Sequence, residues 1–141
     1  MKKLKVLIIV LVLMLSAASV TYAAVVPQPE IEPHYVGAAA VLQIFEIESD
    51  GTAAVKAVLI PKTESMVDRV TVTITVKNDM GVTVHNENYN ARWSTTSKEY
   101  VVEDEFDLSN RGIYICTITY KPYLDNHLLE TIVADPIMKA Y

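Results

Sequence analysis

The stretch Asn110-Arg111-Gly112-Ile113-Tyr114-Ile115-Cys116-Thr117-Ile118-Thr119-Tyr120 limits the possible folds more than any other part of the chain. It is dense in β-branched and aromatic residues, which suit a pleated, half-buried surface. Side chains alternate along a strand, so Ile113 and Ile115 point one way and Tyr114, Cys116, Ile118 and Tyr120 the other. With both faces apolar at its start, the segment reads as a central strand in a packed sandwich, paired on either side.

The chain opens Met1-Lys2-Lys3-Leu4-Lys5, then an apolar run from Val6 to Leu15, then small residues up to Ala23. A basic start, an apolar middle and a small-residue site in that order predict a secretory signal peptide over 1–23. The apolar run falls short of the roughly 20 residues a membrane span needs. The alternative is an uncleaved anchor helix. Cleavage leaves 118 residues, enough for one domain with a real core. Three of the twelve basic residues leave with the leader and all seventeen acidic ones stay, a net charge of −8. Nucleic acid and anionic membrane surfaces are bound through basic patches, so both are poor candidate partners. The expected location is extracellular or loosely cell-wall associated.

Residues 24–35 carry Pro27, Pro29 and Pro33 and read as an extended lead-in, since proline removes a donor and fixes φ. The domain proper is expected over 36–141. From Val36 to Glu48 the pattern is open between helix and strand. Asp50-Gly51 marks a turn, and Thr52 to Ile60 reads as a strand, which makes a hairpin the simplest arrangement. Arg69 to Lys77 is the clearest period-2 pattern, with Val70, Val72, Ile74 and Val76 facing the core. Asn78-Asp79-Met80-Gly81 turns it back into Val82 to Tyr89, which grows polar as an edge strand does. Residues 91–97 read as a connection around Trp93. Lys98 to Val102 is a short strand, and Glu103 to Asp107 an acidic connection pinned by Phe106. Leu128 to Val133 is the closing strand, stopped by Pro136. Seven short strands and no helical period predict an all-β, seven-stranded antiparallel sandwich.

Asn110-x-Gly112-x-Tyr114-x-Cys116 resembles the strand-entry motif of immunoglobulin domains, D-x-[AG]-x-Y-x-C. The resemblance implies an immunoglobulin-like or fibronectin-like sandwich with Tyr114 as a corner residue, its hydroxyl bonded to backbone a few residues upstream. Asn110 replaces the motif's Asp, and Cys116 is the sole cysteine, so the domain lacks the usual disulfide. Cys116 then reads as a buried structural thiol. Over the mature chain, Pro33-His34-Tyr35, Gly51, the Val-Thr strand, Trp93, the G-x-Y strand, Glu130 and Lys139-Ala140-Tyr141 together resemble small secreted proteins of Gram-positive bacteria, a group with no activity to carry over.

H-E-x-x-H, G-x-S-x-G, paired C-x-x-C and a phosphate-cradling glycine loop do not occur in the sequence. The three histidines lack metal-ligand spacing. Carboxylate pairs for glycoside hydrolysis can be drawn only arbitrarily. Glu103, Asp104, Glu105 and Asp107, beside Asp125 or Asn126, form the best calcium candidate, against the simpler reading of a solvated acidic rim. Trp93 with Tyr89, Tyr100 and Tyr123 could form an aromatic platform for sugar or peptide, against the reading of Trp93 as a cap on the core. The expectation is a non-catalytic binding module without cofactor, directed at an extracellular protein or cell-wall ligand. The alternative is a small secreted inhibitor or immunity-type factor with an acidic surface.

Overall fold

The computed structural model describes residues 34–141; the expected signal peptide over 1–23 and the expected lead-in up to Pro33 lie outside the described residues. Ten strands form two antiparallel sheets. They are β1 (Ala38–Ile47), β2 (Thr52–Pro61), β3 (Arg69–Asn78), β4 (Thr83–Asn90), β5 (Arg92–Ser94), β6 (Glu99–Asp107), β7 (Ile113–Leu124), β8 (His127–Leu128), β9 (Ile132–Val133) and β10 (Ile137–Ala140). The first sheet runs β1-β2-β6-β5, the second β10-β7-β3-β4, with β8 and β9 also paired to β7. The only helical residues described are one 3-10 turn, Glu64–Met66.

The open question at 36–48 resolves as strand. Ala38 to Ala40 would suit a helix, but β1 pairs with β2 along most of its length and turns Val41, Gln43, Phe45 and Ile47 inward. Tertiary pairing outweighs a local preference of a few tenths of a kcal/mol per residue. The connecting turn follows from Asp50 and Gly51. The Asp50 carboxylate accepts the Thr52 amide at 3.0 Å, which holds its pKa below the usual value, and Gly51 takes φ +99°. A β-carbon at Gly51 would also meet the Tyr141 hydroxyl at 2.8 Å.

β7 is the central strand of the second sheet, with Tyr114, Cys116, Ile118 and Tyr120 all buried. The core lies between the sheets. Phe45, Val55 and Leu59 of the first face Val72, Ile74 and Ile118 of the second. Its buried hydroxyls have acceptors, as burial requires. Tyr120 donates to the Leu42 carbonyl of the opposite sheet at 2.8 Å, and Tyr100 to the Val67 carbonyl at 2.8 Å. Tyr114 donates to the Asn110 carbonyl at 2.6 Å. The connection from Pro61 to Asp68 crosses between sheets and drops Val67 into the core, which accounts for its length.

Ten strands stand among the described residues where seven were expected, and three segments account for most of the difference. β5 forms within the expected connection around Trp93, pairing with β6. The acidic run is strand, since β6 extends to Asp107 and pairs with β2 throughout. The closing strand is broken into β8, β9 and β10. Pro136 interrupts it without ending it, because the chain resumes against the free donors and acceptors of β7, from Ile137 opposite Cys116 to Ala140 opposite Ile113.

Candidate functional site

Trp93 sits on β5 directly opposite Tyr100 of β6, their rings 4.8 Å apart and tilted by 53°. A turn holds the pair in place. The Lys98 amide donates to the Ser94 carbonyl at 2.8 Å, and Lys98 takes φ 58°. Tyr100 is buried and Trp93 half-buried. Beside them the 3-10 turn and its flank complete a groove lined by Glu64, Ser65, Val67, Asp68, Trp93 and Tyr100. Burial and then the Asp68 charge push the Tyr100 phenol above its ordinary pKa. Lys98 Nζ lies 3.2 Å from Glu64 Oε1 at the rim.

The other two aromatics lie elsewhere. The Tyr123 ring is stacked under the Arg69 guanidinium at 3.9 Å. Tyr89, on β4, approaches Asp104, and burial followed by that carboxylate raises its pKa. Of the four aromatics, only Trp93 and Tyr100 share a groove. Glu64, Ser65 and Asp68 were missed by sequence reasoning. Their one signal was a polar connection longer than a turn requires.

The acidic run is split by strand alternation. Asp104 points between the sheets, while Glu103, Glu105 and Asp107 point outward. Asp104 Oδ2 lies 2.7 Å from His85 Nε2, and the His85 ring stacks on Phe106 at 3.9 Å and 3°. This contact joins β4 of the second sheet to β6 of the first, and both side chains are only 13–14% exposed. Outside, Lys56 Nζ bonds Glu103 Oε1 at 2.9 Å and lowers the Glu103 pKa. Asp125 is held elsewhere, its amide donating to Asp68 Oδ2 at 2.7 Å. Among the described residues no three His, Cys, Asp or Glu side chains are placed to hold a metal ion together. Cys116 is fully buried, and burial pushes its thiol up to about 12.

Among the described residues no helix is long and apolar enough to cross a membrane. No protein-family model and no curated protein matches the sequence. Among solved structures, the chain is similar to a crystal structure from Bacteroides fragilis that bears a β-galactosidase designation, with 15% identity and a TM-score of 0.43. That match covers 69% of this chain and 15% of the other, a likeness too distant to carry any inference about activity.

Proposed function

We propose that the protein is a secreted, non-catalytic recognition module on an immunoglobulin-like sandwich, directed at an extracellular protein or cell-wall ligand. The order of strands in the two sheets and the Tyr114–Asn110 hydrogen bond support the immunoglobulin-like reading. The basic-apolar-small start of the chain supports export. The observation that carries recognition is the groove in which a half-buried Trp93 stands beside Glu64, Ser65 and Asp68. An aromatic wall with a few convergent polar groups is how small sites gain contact area and direction together.

Trp93 is the sole tryptophan, so native emission reports this groove directly. Soluble cell-wall fragments, then fractions of surface protein, are to be titrated while emission is followed. A saturable change in the native chain is the expected result, with binding read by calorimetry weakened in Trp93→Phe while its fold stays intact by circular dichroism. Binding that survives Trp93→Ala unchanged removes this groove from the reading.

A second reading, an inhibitor or immunity-type factor for a basic partner, draws on the outward acidic residues of β1 and β6 and the net charge of −8 after cleavage. Partner capture that collapses at moderate salt favours it.

A further inference from the structure

We propose that the outer face of the first sheet docks a protein segment that presents a lysine or arginine beside an apolar side chain, with the cation lodged over Ala54 between Glu46 and Glu105. This rests on the recognition-module reading and names the chemistry of its macromolecular partner.

The strand register lays the face out in rows. Leu42, Val58, Val101 and Arg92 form one; Ile44, Lys56 and Glu103 the next; Glu46, Ala54 and Glu105 the third. Of the first row Val58 and Val101 are buried, so the exposed apolar side chains are Leu42 and Ile44, beside the acidic third row, over rows about 7 Å apart. Leu42 and Ile44 are 55% and 51% exposed although they sit on a regular strand of a packed sheet. In the third row Ala54 is too short to fill the space between its neighbours. The two glutamates, one strand away on either side, have their backbones about 10 Å apart. The result is a groove lined by Ile44, Glu46, Ala54, Lys56, Glu103 and Glu105. Lys56 is committed to Glu103. Among the described residues neither Glu46 nor Glu105 has a basic side chain within ion-pair distance.

The occupant follows from complementarity. Two carboxylates flanking a gap match one cationic head group, whose aliphatic stem lies along Ala54 and Ile44. The exposed Leu42 and Ile44 match an apolar neighbour on the same segment. An acidic or wholly polar partner leaves one half of the face unmatched.

The test uses the ¹⁵N-labelled full chain and two synthetic peptides of equal length, one alternating valine with lysine and the other valine with glutamate. The basic peptide is expected to bind saturably, to move amide resonances of residues 42–46, 54–56 and 103–105, and to weaken as salt rises. The double variant Glu46→Gln with Glu105→Gln is expected to weaken it about tenfold, and Ala54→Leu to fill the gap with a similar loss. Thr73→Ala, on the outer face of the other sheet, leaves it unchanged. Absence of saturable binding overturns the inference, as does equal binding of the acidic peptide or binding indifferent to the double variant. Shifts centred on the Trp93 groove overturn it while leaving the recognition-module reading standing. Concentration-dependent shifts of residues 42–46 without peptide make a second copy the occupant and also overturn it.

Discussion

The outer faces of the two sheets solve the same problem in opposite ways. On the second sheet Thr73 and Thr75 stand opposite Asn88 and Asn86. The threonine hydroxyls bond the asparagine side chains at 2.6 and 2.9 Å. On their other side lie Thr119 and Thr117 of β7. Those rows meet their own hydrogen-bonding demand with short side chains held in register, while Val133 and Met138 on the same sheet stay exposed. On the first sheet the corresponding face carries exposed Leu42 and Ile44 and glutamates set on either side of an alanine. The lesson is that a polar surface is not by itself a binding surface. The unmet demand lies where cross-strand neighbours fail to complement one another.

The largest expected effect calibrates the first sheet against itself. Phe45 and Ile44 are adjacent on β1, one fully buried and the other half exposed. Phe45→Ala is expected to cost about 3–5 kcal/mol, whereas Ile44→Ala should stay within about 0.5 kcal/mol. Urea midpoints measure both. A large cost for Ile44→Ala would mean that the outer face is part of the stability of the fold and not a surface held in reserve.

Next comes the joint between the sheets. His85→Ala leaves the mostly buried Asp104 carboxylate without its 2.7 Å partner and removes the stack on Phe106. The expected loss is about 1–3 kcal/mol, read from the same denaturation curves. A neutral result would show that the sheets are held by the apolar core alone on that side.

The interior also sets a pH limit. The Cys116 thiol is raised from 9.0 to about 12 in the native state. Between those values the unfolded chain has released a proton that the folded chain keeps. Stability is therefore fully present below about pH 9 and falls as pH rises above it, by at most about 1.4 kcal/mol per pH unit from this group. The raised Tyr89 and Tyr120 phenols act in the same direction at higher pH. Urea midpoints from pH 7 to 10.5 check the slope. A thiol reagent should leave Cys116 unmodified at pH 8 until denaturant is added.

The smallest effects contrast the outer faces directly. Thr73→Ala removes a cross-strand pair and should cost about 0.2–1 kcal/mol. Glu105→Gln removes a negative charge from an acidic face and should stabilise by a few tenths at low salt, an effect that screening abolishes. Opposite signs by thermal melting would confirm the contrast, and equal signs would break it.

How much of this could be read beforehand depended on how local each cause was. Alternation in β3 and β7 set which side chains are buried, because a strand has only two faces and one of them must leave water. The Gly51 and Gly81 turns were legible for a similar reason, since each needs positive φ. The hydrogen bond from the Tyr114 hydroxyl to the Asn110 carbonyl was legible in a seven-residue motif, because it spans only four positions. β5 and the broken closing strand were not legible, because neither has a period of its own and both exist by pairing with a neighbour already in place. The four aromatics of the expected platform are divided by strand pairing. Trp93 and Tyr100 meet across one strand pair, but Tyr89 and Tyr123 belong to other strands.

The sequence by itself determined that this chain makes strands, which faces of its central strands go inward, and that its lone cysteine forms no intrachain bridge. Those properties rest on side-chain chemistry at neighbouring positions. Only the tertiary structure decided that Asp104 leaves the acidic run to meet His85 and that Glu46 and Glu105 flank Ala54. It also decided that Asp68 stands beside Tyr100. Each of those contacts depends on strand register and sheet order, which distant parts of the chain fix together through pairing and packing.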